Sequence, residues 1–230
     1  MAFVFRPTLW PTLLTIPALC VLVALGNWQV DRLQWKRALF TEMEMKLSQT
    51  PVRLPSRIAE PKAWEFRRVR VTGRFLWDRE MRLSPRIRKG RAGFEVITPL
   101  AREDGSVVLV NRGWAPAAWP GDAEAPLGPV TLAGVLRTDK PKGGFTPENV
   151  PEEGLWFHVD LPEMGRWVGQ APVVPLLLEV EPGKTPGRYP IGKTPKAELS
   201  NDHLHYAITW YALAVVLLGI YFLYHLRRRA

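Results

Sequence analysis

Residues 9–30 read LWPTLLTIPALCVLVALGNWQV and contain no charged side chain. The hydrocarbon core of a bilayer, about 30 Å thick, is crossed by a helix of roughly 20 apolar residues, a length that this run supplies. A second run, YAITWYALAVVLLGIYFLYHL over Tyr206–Leu226, lacks Asp, Glu, Lys and Arg. We therefore expect transmembrane helices over residues 9–30 and 201–226, with the segment between them folding outside the bilayer.

The first apolar run is expected to remain as an anchor. It exceeds the roughly 7–15 residues of a secretory signal core, and no small-residue cleavage site stands before the following LGNWQVDRLQWKR. Topology follows from the short flanks, because Lys and Arg accumulate on the cytoplasmic side. Arg6 in residues 1–8 and the arginines of residues 227–230 place both flanks in the cytoplasm, or in the matrix of a mitochondrion.

The outer region divides into a helical extension and a β domain. Apolar residues recur every three or four positions over residues 31–50, which predicts that the first helix continues as an amphipathic helix. Residues 51–200 then alternate strand-like runs with turns. The runs are Phe66–Phe75, Phe94–Leu100, Ser106–Trp114, Pro129–Arg137, Leu155–Asp160 and Val173–Val180, and a short helical turn is expected over Leu161–Gly169. The predicted fold class is two transmembrane α-helices flanking one mostly β (α+β) extramembrane domain.

Composition argues against several classes of function. Of the formal net charge of +9, Arg6 supplies one charge and residues 201–230 supply two, which leaves +6 on the outer region. This charge suits anionic lipid head groups or an acidic partner, whereas nucleic-acid binding would need an aromatic stacking platform. Cys20 is the only cysteine, so no disulfide or paired-thiolate metal site can form within the chain. No nucleotide-binding loop, nucleophile elbow or carboxylate pair indicates an enzyme.

His203 is the leading candidate for a ligand, because it precedes the second apolar run by about one helical turn. One helical face is shared by His203, Tyr206, Ala207, Trp210 and Ala214. An axial haem ligand needs such a setting, with an imidazole above a flat apolar slot. The alternative is that the segment from Asn201 to His203 only caps the helix.

The other three histidines are weaker candidates. His205 points to roughly the opposite side of the helix from His203, so the two cannot chelate one metal ion. His158 lies in a strand-like run and is expected to be a packing or surface residue. His225 stands beside three arginines and is expected to be a membrane-interface anchor.

Two other segments contain candidate binding residues. Trp28 ends the first apolar run at the same membrane face as His203, and Arg32 and Lys36 lie four apart, where they would meet an anion such as a haem propionate. The alternatives are an aromatic belt and a solvated basic face. In VLVNRGW, Arg112 either binds a carboxylate or pins a turn to neighbouring carbonyls. Gly113 indicates a close backbone approach or a positive φ.

Taken in order, these segments resemble one family. The matching stretches are GNWQVDRLQWK, FRRVRVTGRF, GFEVITPL, DGSVVLVNRGWAP, GFTPENVPEEGLWFHVD and NDHLHYAITWYALA. Together, over about residues 26–213, they are similar to the surfeit-locus protein one family of cytochrome c oxidase assembly factors. The resemblance implies two spans, an outer domain and a role in haem–copper oxidase maturation. It also implies haem a binding by bacterial members, with the family's histidine falling on His203 and its following aromatic residue on Trp210.

We therefore predict a haem a-binding assembly factor that is not an enzyme. It would receive haem a from haem a synthase and present it to cytochrome c oxidase subunit I, with membrane lipid as a further partner and no nucleic acid. His203 would ligate the iron. The porphyrin and its propionates would be met by Trp210, Tyr206, Trp28 and Arg32 or Lys36. The expected location is the bacterial inner membrane, or the mitochondrial inner membrane, with the main domain on the periplasmic or intermembrane side.

Two other hypotheses were open from the sequence. A scaffold would stabilise oxidase intermediates through its outer β domain and never touch haem. A haem-modifying enzyme is disfavoured, because only one well-placed ligand histidine is visible in the sequence.

Overall fold

The computed structural model describes residues 3–121, 126, 128–139, 142–169, 172–183, 188–193 and 202–228. The chain divides into two compact units, one of Met1–Glu42 with Ala197–Ala230 and the other of Met43–Lys196. The helices are α1 (Leu9–Ser48), α2 (Leu161–Val168) and α3 (His203–His225). The strands are β1 (Phe3–Phe5), β2 (Val52–Arg53), β3 (Arg68–Phe75), β4 (Met81–Arg88), β5 (Arg91–Ala101), β6 (Val107–Pro116), β7 (Val130–Arg137), β8 (Leu155–Trp156), β9 (Val173–Val180) and β10 (Leu226–Arg228).

The two long helices expected from the sequence are present. Both α1 and α3 contain an apolar stretch long enough to cross a membrane, with mean hydropathies of 2.0 and 1.9. α1 is one continuous helix that runs past residue 30 to Ser48, shortly before Pro51. β1 and β10 pair as an antiparallel ribbon beyond the helix ends, which the sequence pattern does not predict. β10 begins at Leu226, directly after the last residue of α3, His225.

Within the first unit, α1 and α3 run antiparallel. Thr12 Oγ1 lies 2.7 Å from the Tyr221 hydroxyl, and Gln29 Oε1 lies 2.7 Å from His203 Nδ1. The residue number therefore falls along α3 as it rises along α1. These hydrogen bonds fix the register of the two helices.

The second unit contains a closed β barrel. The sheet order is β2-β3-β7-β9-β6-β5-β4-β8, and β3 also pairs with β5. The closing contact joins Arg74 to Ala101 and Phe75 to Leu100 in antiparallel register. Five strands, β3, β7, β9, β6 and β5, therefore form a ring in which each has two neighbours. Closure leaves these strands with little open edge.

Two apolar clusters account for the burial pattern of the barrel. β3 alternates, with Val69 and Val71 buried and Arg70 between them exposed, because only one of its faces meets the core. β5 and β6 are instead buried along nearly their whole length. One cluster includes Val69, Val71, Leu100, Val108, Val110, Leu136, Leu176 and Leu178. The second includes Met81, Leu83, Ile97, Leu109, Trp156, Leu161 and Met164, so β5 and β6 contribute to both.

The structure corrects two strand predictions. β4 was not predicted, because Pro85 lies within its run and proline disfavours the interior of a strand. Met81 and Leu83 are buried in β4, whereas Pro85 and Ile87 are exposed. The predicted strand over Leu155–Asp160 covers only Leu155–Trp156. Its last residue, Asp160, is instead the N-cap of α2, and its carboxylate accepts a hydrogen bond from the Glu163 amide at 2.8 Å.

Gly113 lies at a crowded position of the barrel backbone. Its φ is +116°, and a Cβ there would lie 2.0 Å from the Ile191 carbonyl oxygen, so both expectations from the sequence are confirmed. We expect Gly113→Ala to lower the free energy of unfolding by about 3 kcal/mol or more, from backbone strain and steric clash. Urea unfolding of the purified chain measures the change.

Gly128→Ala is the matched control for this substitution. Nothing lies within 4 Å of a Cβ at Gly128, and its φ lies outside the positive range. We expect a change within about 0.5 kcal/mol for the control. Equal unfolding midpoints for the two variants would contradict this account of Gly113.

Candidate functional site

The ring of His203 is held from one side by Gln29. His203 begins α3, and its Nδ1 lies 2.7 Å from Oε1 of Gln29, which is 8% exposed on α1. A carboxamide oxygen only accepts, so His203 Nδ1–H is the donor in this bond. In the neutral imidazole, Nε2 then keeps its lone pair. Metal-bound histidines usually donate their second ring N–H in this way, which fixes the tautomer and the ring orientation.

The hydrogen bond to Gln29 is not explained by the alternative that the segment from Asn201 to His203 only caps α3. Asp202 is the N-cap residue of α3, and its side chain makes no capping hydrogen bond. Its backbone carbonyl accepts from the Tyr206 amide at 3.1 Å, as the first helical hydrogen bond requires. Asn201 lies outside the described residues. His203 is therefore joined through its ring to the other helix, which a capping role does not require.

Two of the other residues expected at a haem site are exposed, and a third is half-buried. Trp28 and Tyr206 are 57% and 54% exposed, and Trp210 is half-buried. Trp28 precedes Gln29 on α1, so the two side chains point about 100° apart around the helix. The guanidinium of Arg32 lies over the Trp35 ring at 3.9 Å. These side chains leave aromatic surface exposed on both helices.

Gln29 was not singled out in the sequence. The only signal for it is its position as a polar residue beside Trp28, at the end of an uncharged run. Its partner lies 174 residues away, so no local pattern shows the contact. A polar side chain at the end of an apolar helix is expected to point toward a partner when lipid surrounds the helix.

His225 occupies a different environment from His203. It is 1% exposed, and its Nδ1 lies 2.8 Å from the Tyr221 carbonyl oxygen. Its Nε2 lies 3.0 Å from Thr8 Oγ1. Both ring nitrogens are thus hydrogen-bonded, and His225 acts as a helix–helix contact. The expectation of a membrane-interface anchor did not include this burial or these two hydrogen bonds.

The NRGW segment forms a buried polar contact inside the second unit. Arg112 is 2% exposed, and its Nη1 lies 3.2 Å from Glu80 Oε2. The guanidinium carbon also lies 4.9 Å from the centre of the Trp77 ring. Of the two roles expected for Arg112, it binds a carboxylate, and that carboxylate belongs to this chain.

A second charged cluster surrounds Lys193. Its Nζ lies 2.9 Å from Glu95 Oε2 and 3.0 Å from Glu179 Oε1. Glu95 also accepts a hydrogen bond from Asn111 Nδ2 at 2.6 Å. Burial alone would lower the pKa of Lys193, but the charges of Glu179 and Glu95 outweigh that effect, and its pKa is raised above 10.5.

The raised pKa of Lys193 predicts how the stability of the chain depends on pH. A group whose pKa is higher in the folded state contributes fully below its unfolded value of 10.5, and loses that contribution as pH rises through the folded value. Lys193→Met should therefore destabilise the chain at pH 7, by about 1–2 kcal/mol for a half-buried pair. Denaturant unfolding should be measured at pH 7, 9 and 11. The difference in unfolding free energy between Lys193→Met and the parent should become smaller only at pH 11. A difference that stays constant would contradict this assignment.

The fold and the site together define a class of protein, in which a β-barrel domain is flanked by two long apolar helices that pair with each other and orient a histidine. A model described as the SURF1 family matches residues 16–215. A SURF1-like protein of Monosiga brevicollis is 35% identical over 234 residues, covering 93% of this chain and 86% of that protein. Surfeit locus protein 1 of Rattus norvegicus is 34% identical over 94% of this chain and 75% of its own length. Surfeit locus protein 1 of Homo sapiens is 34% identical over 88% and 73%.

The chain belongs to the SURF1 family. The resemblance found in the sequence is therefore confirmed. Membership of this family implies a cytochrome c oxidase assembly factor, and the family is not one of known enzymes.

Proposed function

We propose that this chain binds haem a within the membrane and aids its insertion into subunit I of cytochrome c oxidase. The observation that carries the proposal is the hydrogen bond between His203 Nδ1 and Gln29 Oε1. It directs Nε2 away from the contact and leaves that atom to ligate iron. Haem a is the cargo in this proposal and takes no part in a reaction on the chain.

The side chains around His203 are chemically suited to contact a porphyrin. Trp210 lies two helical turns beyond His203 on the same face of α3, so an aromatic ring follows the imidazole along the helix. The exposed rings of Tyr206 and Trp28 add apolar surface. We propose these side chains as porphyrin contacts, and Arg32, already stacked on Trp35, as a partner for a propionate.

We also propose that α1 and α3 span the inner membrane of a bacterium or a mitochondrion. Their outer surfaces are apolar and exposed, as lipid contact requires, with Leu14 and Leu223 more than 70% exposed. The basic residues beside both helices, Arg6 and Arg227, would then lie on the cytoplasmic or matrix side. The β barrel would lie on the opposite side. Haem a synthase and subunit I, both membrane proteins, are the proposed partners.

The haem proposal is tested by the visible spectrum of the full-length protein, co-expressed with the haem a synthesis enzymes and purified in detergent. We expect wild type and His205→Ala to carry a haem a band, and His203→Ala to lose it. Gln29→Leu keeps the imidazole but removes its hydrogen bond, so we expect haem affinity to fall by about 10- to 100-fold.

The control for Gln29→Leu is Asn27→Leu. Asn27 Oδ1 accepts a hydrogen bond from the Tyr211 hydroxyl at 2.7 Å, so this variant removes a comparable contact between the same two helices without touching His203. If Asn27→Leu weakens haem binding as much as Gln29→Leu does, the orienting role of Gln29 is wrong. If His203→Ala binds haem as wild type does, His203 is not the ligand, and if wild type itself purifies without haem, the scaffold hypothesis replaces the haem carrier.

The membrane proposal is tested through Cys20, the only cysteine of the chain. It is exposed on α1 in the middle of the apolar run. In intact membranes we expect a membrane-impermeant maleimide not to label it, and labelling to appear once SDS dissolves the membrane. In a Cys20→Ser background, Gln49→Cys should be labelled from the outer side, because Gln49 is exposed just beyond α1. Rapid labelling of Cys20 in sealed membranes would exclude a span.

A further inference from the structure

We propose a divalent transition-metal site in the β domain, formed by His158, Asp160 and Glu163. The ligand atoms of these three side chains all lie within 4.8 Å of one another, and none of the three residues is exposed. Two ligands of one tetrahedral ion, at about 2.1 Å from it, stand roughly 3.4 Å apart. Small side-chain rotations therefore suffice to close the three atoms around an ion.

The state of His158 is the observation that points to a ligand. Its Nδ1 atom is buried and has no hydrogen-bond partner among the residues that the structure describes. A buried polar atom without a partner carries a cost of about 1–3 kcal/mol. His158 is also one of the three residues whose ligand atoms lie within 4.8 Å of one another. A cation shared with those carboxylates would satisfy it.

Asn149 connects two parts of the site through hydrogen bonds. Its side-chain oxygen accepts hydrogen bonds from the backbone amides of Phe157 at 2.8 Å and His158 at 3.2 Å. Its side-chain nitrogen donates to Glu163 Oε2 at 2.6 Å. Asn149 is 8% exposed, so one buried amide fixes both the histidine's backbone and one carboxylate. Outer contacts of this kind orient the ligands of metal sites.

Each carboxylate has one oxygen engaged by the protein and one left for an ion. Asp160 Oδ1 accepts the hydrogen bond from the Glu163 amide that caps α2. Glu163 Oε2 accepts a hydrogen bond from the side-chain nitrogen of Asn149 and not from the backbone at the start of α2. The proposed ligand set is therefore Asp160 Oδ2, Glu163 Oε1 and His158 Nδ1, the atoms that these hydrogen bonds do not use. A capping role alone explains Asp160 but leaves His158 Nδ1 unsatisfied.

Charge and access also fit a divalent cation. The two carboxylates supply two negative charges beside a neutral imidazole. Lys142, which lines the same cavity, is paired with Glu148, so its charge is offset. His158 and Asp160 open onto a cavity of about 1010 Å³, which gives an ion and its water a route to the site. One imidazole nitrogen and two carboxylate oxygens suit Zn²⁺ or a neighbouring first-row ion, with one coordination position left for water.

The test uses Zn²⁺ titrated into the full-length protein in detergent, followed by calorimetry. The parent carries His203→Ala and His205→Ala, which removes the proposed haem ligand and the neighbouring exposed imidazole. Both ring nitrogens of His225 are hydrogen-bonded, so His158 remains as the histidine available to an ion. We expect one Zn²⁺ per chain, and a rise in the melting temperature of the parent on addition of Zn²⁺.

Two variants decide the outcome. His158→Ala and Glu163→Gln should each weaken Zn²⁺ binding by at least about tenfold and abolish the thermal shift. Glu163→Gln keeps an oxygen for Asn149, so a melting temperature equal to that of the metal-free parent shows that the fold is intact. Unchanged Zn²⁺ affinity in both variants, or no binding by the parent, would overturn the proposal. Because the proposed haem ligand His203 is already absent from the parent, neither result bears on the haem proposal.

Discussion

The hydrogen bonds between α1 and α3 are the constraint on which the candidate site depends. Two apolar helices in lipid gain little from hydrophobic burial against each other, so close packing and interhelical hydrogen bonds set their register. Tyr211 illustrates the packing, because a Cβ on Gly26 would lie 2.6 Å from its ring. Ala207 and Ala214 are buried on the same helix as that tyrosine. Such contacts determine that Gln29 meets His203 and not a neighbouring residue.

The β domain is stabilised by a different constraint, the closure of the barrel between β3 and β5. Closure brings strands that are distant in sequence into contact, including β6 and β9, which run parallel. It also removes charged groups such as Arg112 from water, at a cost that only close partners offset. Glu80 supplies the opposite charge for Arg112, as Glu95 and Glu179 do for Lys193.

The sequence predicts those parts of the fold that depend on local pattern. The long helices follow from uncharged runs, and β3 follows from strict alternation, because one face of it meets the core. β4 is missed because Pro85 lies within its run. The β1–β10 ribbon joins residues at opposite ends of the chain, so no local signal reveals it.

The same limit applies to the candidate site. His203 is marked by its place before an apolar run and by family resemblance, both of which are visible in the sequence. Gln29 and Asn149 are not marked, because each acts on residues that only the fold brings near. Residues that orient a ligand are generally harder to find than the ligand, since they need only a suitable donor or acceptor and no special spacing.

The four histidines show why residue type alone does not identify a ligand. His225 has both ring nitrogens occupied, whereas His203 has one held and one open. His205 is exposed, and His158 has a buried nitrogen without a partner. The chemistry of each imidazole is therefore set by what its neighbours leave unsatisfied. By that criterion the helix unit and the β domain each hold one histidine suited to a metal. Because the two proposed sites share no ligand, an ion bound at His158 is expected to act on the β domain and not on the proposed haem site.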